Sequence, residues 1–210
     1  SEDVRRDAAV VLGDIGKPAQ SAIPHLLVKL SDPSKRVRQR AVTAIGHIGG
    51  NQEATNLLVP LLRDSSSAIR KETARALGRI KIFSYQVATG LVTGLEDNKK
   101  DVRRESERAL ARLGPSAIPH LKMLLASASE STAPTLLRAI GDIGPEAIPV
   151  LLEALSHSIP DVRYEAADAL GDLRANTPEV VTALIAALTD PSENVRMEVV
   201  DSLGDAKAKA

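Results

Sequence analysis

Residues able to carry out chemistry are present in the sequence, but they do not form a recognised catalytic or phosphate-binding motif. The segment Gly13-Asp14-Ile15-Gly16-Lys17 contains the glycines and the lysine of a phosphate-binding loop without the Gly-x-x-x-x-Gly-Lys spacing that surrounds phosphates. The sequence has no Gly-x-Ser-x-Gly nucleophile turn and no cysteine. The remaining candidates are arginines and carboxylates at regular intervals, which indicate binding rather than catalysis.

These charged residues recur because the sequence repeats. The repeated segment contains a Val-Arg pair, as in Val4-Arg5, and it returns with substitutions in six later copies. The interval between copies is 30 to 33 residues, a period typical of stacked helix pairs. The seven copies start at Val4, Val37, Ile69, Val102, Thr132, Val162 and Val195.

Each copy predicts a unit made of a first helix, a short turn and a second helix that begins with the Val-Arg pair. Counted from the Val as step 0, apolar or small residues fall at steps 4, 7, 8 and 11, which share one side of a helix. Glycine at step 9 in six copies and at step 12 in four predicts that the second helix ends there. Since one helix pair cannot bury both apolar faces alone, the units are expected to stack into an all-α solenoid.

Four turns contain an aspartate that stands six residues before an arginine of the second helix. Each carboxylate could bond the guanidinium of its own or of an adjacent repeat, forming a ladder along the stack. The fifth copy departs from this pattern, with Ser127 and Ala133 at the two positions. The predicted ladder residues are Asp32 and Arg38, Asp64 and Arg70, Asp97 and Arg103, and Asp190 and Arg196.

The turn aspartate, the Val-Arg pair and the Leu-Gly-x-Ile-Gly ending make the whole chain similar to HEAT repeats, specifically the short variety named after phycobilisome lyases. The resemblance implies a right-handed α-solenoid of about seven repeats, incomplete at both ends, that forms one domain over residues 1–210 and is a segment of a longer array. It also implies that the second helices line a concave groove, where proteins of this kind bind partners.

Metal-dependent chemistry is not expected. Deoxyhypusine hydroxylase, a metal-binding enzyme of the HEAT type, uses paired His-Glu dipeptides, and this sequence has none. His25 and His120 occupy the same position three repeats apart, and at ~10 Å per stacked repeat they cannot share a metal. We therefore predict a protein that is not an enzyme and has no cofactor and no metal site.

The polar residues at steps 2, 6 and 10 of the second helices are the candidate groove. The predicted groove is basic in its middle and acidic toward the C-terminus, and its side chains are expected to point away from the core. Arginines there would bind acidic groups, whereas Tyr164 and Met197 would offer apolar contacts. Glu72 and Glu105 could instead neutralise Arg75 and Arg108 three residues later, which would leave a merely solvated face. The candidate residues are Lys71, Arg75, Arg79, Arg104, Arg108, Arg112, Arg138, Tyr164, Asp168, Asp172, Met197, Asp201 and Asp205.

Composition favours a protein or peptide partner. Twenty-seven basic residues balance 27 acidic ones, whereas nucleic-acid-binding domains are usually basic. Two alternatives stay open: nucleic-acid binding through the basic centre of the groove, as in HEAT-like alkylpurine DNA glycosylases, and a bilin lyase or pigment-chaperone role. The lack of cysteine and of an apolar run of about 20 residues predicts a cytoplasmic protein without a membrane span.

Two irregular regions add further expectations. Val10 and Val11 in the first copy and Val199 and Val200 in the last predict exposed apolar stripes, and hence possible end-to-end self-association. The segment Ile80–Tyr85 replaces the usual glycine-rich link, and its aromatic residues are expected to fill a gap between helices, with an exposed contact site as the alternative.

Overall fold

The computed structural model describes residues 1–207, and the side chains of residues 1–204. Over residues 1–207 the chain forms thirteen α-helices joined by turns and short 3-10 segments, with no β-strand. The predicted all-α repeat fold is confirmed. The chain divides into two compact units, Ser1–Leu113 and a second that begins at Gly114. That both belong to one domain stays a prediction.

Helices of the two kinds alternate along the chain. The first unit contains α1 (Glu2–Ile15), α2 (Ile23–Val28), α3 (Lys35–Ile48), α4 (Gln52–Leu58), α5 (Ser67–Ile80), α6 (Tyr85–Gly94) and α7 (Lys100–Arg112). The second contains α8 (Ile118–Leu125), α9 (Ala133–Gly141), α10 (Ile148–Ala154), α11 (Pro160–Asp172), α12 (Pro178–Ala187) and α13 (Glu193–Lys207). Odd-numbered helices are the predicted second helices, and even-numbered ones are the first helices. None of these helices is long and apolar enough to cross a membrane.

Second helices pack directly on their neighbours within each unit. In the first unit α1 packs on α3, α3 on α5 and α5 on α7, and in the second α9 packs on α11 and α11 on α13. The apolar residues at steps 0, 4 and 8 fill the layers between them, and in α3 these are the fully buried Val37, Ala41 and Ile45. The core is therefore a series of thin aliphatic layers, as the period predicts.

The step-9 glycines bring second helices close together, and most of these helices continue past them. The helices α1, α3, α5 and α11 continue past this glycine, whereas α9 ends at Gly141. A Cβ on Gly46 would lie 2.8 Å from the Cα of Ala76, and one on Gly78 would lie 2.8 Å from the Cα of Ala109. The prediction that step 9 ends the helix therefore holds for α9 and is wrong for the other four, where the neighbouring helix occupies the space of the absent side chain.

Step 12 directly follows the last helical residue of α1, α3 and α5. Gly16, Gly49, Gly114 and Gly144 occupy this step, and all four have positive φ. Lys81 and Arg174 take the same step in the third and sixth copies, and they are the described non-glycine residues with positive φ, 58° and 49°. The backbone geometry is thus kept even where glycine is absent.

An Arg–Asp ladder connects four of the turns to the preceding second helix. Its rungs are Arg5–Asp32 at 2.7 Å, Arg38–Asp64 at 3.7 Å, Arg70–Asp97 at 2.6 Å and Arg163–Asp190 at 2.6 Å. The carboxylate therefore pairs with the arginine of the preceding repeat. The arginine of its own repeat donates instead to the backbone carbonyl of the aspartate, as Arg38, Arg70, Arg103 and Arg196 do at 2.7–2.9 Å.

The same carboxylates also close their turns. Oδ1 of Asp32, Asp64, Asp97 and Asp190 accepts the backbone N–H two residues later, at 2.7–3.0 Å. Burial in these turns and bonding to arginine have opposite effects on the pKa of Asp97 and Asp190. The hydrogen bonds from Arg70 and Arg163 prevail and lower it.

The ladder is interrupted by paired replacements. In the sixth copy His157 stands where the turn aspartate is expected, and its Nδ1 accepts the N–H of Ile159 at 3.2 Å, which keeps the turn. In the preceding repeat, the position whose arginine would have paired with such an aspartate holds Ala133, which is fully buried. The turn function and the ion-pair function of the aspartate are therefore separable, because the first survives where the second is lost.

Two sequence expectations need correction or refinement. Val11 and Val200 are exposed at 56% and 57%, but Val199 is fully buried and Val10 is partly buried. Tyr85 is half exposed rather than a plug between helices, and it borders a recess of about 950 Å³ between the segments that contain Val59 and Gly90. Self-association stays a prediction.

Candidate partner-binding faces of the second helices

The basic face comprises Lys71, Arg75 and Arg79 on α5 and Arg104, Arg108 and Arg112 on α7. These residues lie at steps 2, 6 and 10, on the opposite side of each helix from its buried apolar residues. The close approach of α5 and α7 at Gly78 and Ala109 places the two rows side by side. Like charges four residues apart cost a helix about 0.2–0.5 kcal/mol per pair, so the arrangement is mildly unfavourable by itself.

Two buried carboxylates underlie this face. Glu72 and Glu105 are 9% and 5% exposed. Arg75 donates to both, to Glu72 at 2.9 Å and to Glu105 at 3.0 Å. These hydrogen bonds and the nearby carboxylate charges raise the pKa of Arg75. The alternative that Glu72 neutralises Arg75 therefore describes this residue, and Glu105 of the next repeat adds a second bond, because buried carboxylates are costly unless they are paired.

The other cations are less constrained. Arg108 and Arg112 lie 3.9 and 3.8 Å from Glu105, beyond hydrogen-bond distance, and their side chains are 65% and 44% exposed. Lys71 is 3.8 Å from Asp101. Over the described part of the chain, Arg79 and Arg104 are exposed and have no acidic partner. The basic face thus has six cations against three carboxylates, and the positive excess faces outward.

The acidic face lies in the second unit. It comprises Asp168 and Asp172 on α11, Asp201 on α13 and Asp142, which directly follows α9. Met197 on α13 is 61% exposed beside it, as an apolar contact requires. Asp205 also belongs to the predicted set, but its side chain lies outside the described residues. The acidic face is therefore made of carboxylates of the second unit.

Burial and mutual repulsion raise the pKa of two carboxylates of the acidic face, Asp168 and Asp142. Burial is the largest cause that raises the pKa of Asp168 to about 6, and Glu198, Asp172 and Glu165 add to it. Burial likewise raises the pKa of Asp142, against the lowering effect of Arg138. The carboxylate of Asp168 consequently gains charge only near neutral pH.

Arg138 and Tyr164 are tied to neighbouring carboxylates. Arg138 donates to both oxygens of Glu165, at 2.9 and 2.7 Å. The Tyr164 hydroxyl donates to Glu198, and this bond is the main cause that raises the pKa of Tyr164 to about 12. Tyr164 is therefore not the purely apolar contact that the sequence suggested.

These contacts form a second ladder, which was not among the sequence predictions. Glutamate occupies step 3 in four second helices, at Glu72, Glu105, Glu165 and Glu198. The arginine at step 6 of the preceding repeat pairs with it in Arg75–Glu105 and Arg138–Glu165. Recurrence of glutamate at step 3, next to step 2 of the candidate groove, is the sequence signal for this ladder. The Val-Arg pair is likewise the signal for Arg5 and Arg163 of the Arg–Asp ladder.

The described residues offer no group of three or more histidine, aspartate or glutamate side chains that could hold a metal ion. A small recess of about 240 Å³ lies between Arg138, Asp142, Asp168 and Asp172. The basic and acidic faces therefore carry charged side chains in rows along the second helices, and an extended or helical segment could lie along such a row.

Comparison with known proteins agrees with the helical-repeat fold. The sequence profile of the HEAT repeats matches residues 23–111 and 118–204. An engineered protein solved by the Northeast Structural Genomics Consortium is 25% identical, with a TM-score of 0.51, over 96% of this chain and 64% of that one. No curated protein matches this chain.

Two other solved structures are similar at lower scores. A designed armadillo repeat protein in complex with the peptide (KR)4 is 22% identical, with a TM-score of 0.48, over 88% of this chain and 99% of that one. Human deoxyhypusine hydroxylase in complex with glycerol is 24% identical, with a TM-score of 0.46, over 99% of this chain and 81% of that one.

Proposed function

Because the chain belongs to the HEAT-repeat family, we propose that it is a non-enzymatic scaffold that binds a protein or peptide partner through the outward side of its second helices. Stacked repeats create long surfaces with regularly spaced side chains, and such surfaces are commonly used for binding. The partner, the cytoplasmic location and the phycobilisome-lyase subtype belong to the same proposal and are predictions.

The observation that supports this proposal best is the surplus of cations on the basic face. Arg75 is needed for stability, since it neutralises Glu72 and Glu105. Arg79 and Arg104 have no such role, because both are exposed and neither has an acidic partner in the described part of the chain. Charges that repel each other and do not support the fold are expected to serve recognition.

The test is charge reversal with a matched control. Arg79→Glu with Arg104→Glu reverses two charges on the second-helix side, whereas Lys17→Glu with Arg63→Glu makes the same change at exposed positions of the 3-10 segments that precede α2 and follow α4. Both double variants should keep the helical content of the wild-type protein. Partner capture from the source lysate should fall at least about fivefold in the first variant only, as two lost contacts of about 0.5 kcal/mol each imply. Equal losses in both variants would show diffuse charge attraction and refute the assignment of the face.

A further inference from the structure

We infer that the basic face recognises an acidic peptide, through Arg79, Arg104, Arg108 and Arg112 acting on side-chain carboxylates spaced about 6–7 Å apart. This inference rests on the proposed function and specifies the chemistry of the partner at one face.

Four arginines of the basic face have hydrogen-bond donors available for a ligand. A guanidinium has five N–H groups in a planar fork that fits a carboxylate. Arg75 uses its fork on Glu72 and Glu105. Arg108 and Arg112 make no hydrogen bond to Glu105, since the separations are 3.9 and 3.8 Å. Their forks therefore stay open to a ligand, as do those of Arg79 and Arg104.

The spacing of these arginines matches the spacing of carboxylates in a peptide. Arg104, Arg108 and Arg112 lie four residues apart on α7, so each successive pair is separated by about 6 Å along the helix. Carboxylates four residues apart on an acidic helix have the same separation, and carboxylates two residues apart on an extended strand lie about 6.6–6.8 Å apart. Arg79 comes from the neighbouring row, since α5 packs against α7 at Gly78. An acidic segment lying along α7 can thus meet several guanidinium groups at once.

The composition of α5 and α7 favours an acidic peptide over a nucleic acid. Neither α5 nor α7 contains an aromatic residue on which a base could stack. Asp101, Glu72 and Glu105 reduce the positive potential that a phosphate backbone requires, and the whole chain has no net charge. Discrete carboxylates, which a guanidinium binds pairwise, fit this face better than a continuous polyanion does.

The experiment uses three labelled ligands and fluorescence anisotropy. The first is a peptide with Glu at every fourth position, the second replaces each Glu by Gln, and the third is single-stranded DNA with the same number of charges. The wild-type protein should bind the Glu peptide and neither of the others at 150 mM salt. Arg104→Gln with Arg108→Gln should weaken this binding about tenfold, and the control Lys17→Gln with Arg63→Gln should leave it unchanged.

The inference is overturned if the DNA binds as tightly as the Glu peptide, if the Gln peptide binds equally, or if the control variant loses as much affinity. Circular dichroism of each variant separates loss of binding from loss of folding. Failure here can be distinguished from failure of the proposed function. If the Glu peptide does not bind but capture of a protein partner still depends on Arg79 and Arg104, only the acidic-peptide inference falls.

Discussion

Replacing Asp97 by alanine removes one rung of the Arg–Asp ladder and the bond that closes its turn. The Asp97 carboxylate accepts from Arg70 Nε at 2.6 Å and Nη2 at 2.9 Å, and from the backbone N–H of Lys99 at 2.9 Å. The side chains of Arg70 and Asp97 are 14% and 9% exposed. Asp97→Ala would leave two N–H donors of Arg70 without their carboxylate acceptor, in a turn that is largely shielded from water.

The expected cost follows from burial. A fully exposed ion pair contributes about 0–1 kcal/mol, whereas breaking a buried one costs about 3–5 kcal/mol. The pair here lies nearer the buried limit, but Arg70 keeps its bonds to the carbonyls of Asp64 and Ser65. We therefore expect Asp97→Ala to reduce the free energy of unfolding by roughly 3 kcal/mol.

The effect should depend on pH in a defined direction. The hydrogen bond from Arg70 lowers the pKa of Asp97 below its value in the unfolded chain. Stabilisation by this carboxylate is thus fully present above the unfolded value of about 3.9 and disappears as the pH falls through the folded value. The gap between wild type and Asp97→Ala should be constant from pH 5 to 7 and should narrow below pH 4.

Urea unfolding followed by far-ultraviolet circular dichroism measures this gap. Asp101→Ala is the matched control, because Asp101 lies on the same repeat with a side chain that is 73% exposed and 3.8 Å from Lys71. It should change stability by less than about 1 kcal/mol. If both variants shift the unfolding midpoint by the same small amount, the ladder does not stabilise the stack and the reasoning fails.

Three other changes test the packing and the charges. Gly46→Ala should cost about 1–3 kcal/mol by thermal unfolding, since its Cβ would lie 2.8 Å from Ala76, whereas Gly13→Ala, with 3.1 Å to the nearest atom, should cost less. Lys81→Gly should stabilise the protein by about 1 kcal/mol in urea unfolding, because it relieves a left-handed backbone conformation, and an unchanged midpoint would argue against strain there. Asp168→Asn should raise stability by about 1 kcal/mol at pH 7 and not at pH 4, because a pKa raised to about 6 makes the wild type lose stability as the pH rises between these values. A gain that is the same at both pH values would contradict this assignment.

The helical units were predictable because the repeat period and the apolar steps are local properties of the sequence. Val37, Ala41 and Ile45 show the pattern, and all three are buried as expected. The function of glycine was harder to predict, since the same residue type both ends a helix at Gly49 and admits a neighbouring helix at Gly46. Only the position of the next helix distinguishes these two uses.

The burial and pairing of charged side chains could be predicted only in part. Arg75 and Arg108 occupy the same step of consecutive repeats, yet one bonds two buried carboxylates and the other is mostly exposed. The difference arises because Glu105 of the next repeat reaches Arg75, a contact between residues 30 positions apart. The position of a residue on a helix face predicts which way its side chain points. Whether its charge is neutralised depends on the adjacent repeat.

Site-specific photo-crosslinking tests the central claim, that partners bind on the second-helix side, most directly. A photoreactive phenylalanine analogue is placed at Arg79 or Arg104 on that side, and at Lys17 or Arg63 as exposed positions of the 3-10 segments next to α2 and α4. After irradiation in the source cells, adducts with a discrete protein partner should form at Arg79 and Arg104 and be absent at the other two positions. Adducts that form only at Lys17 and Arg63, or equally at all four positions, would contradict the account.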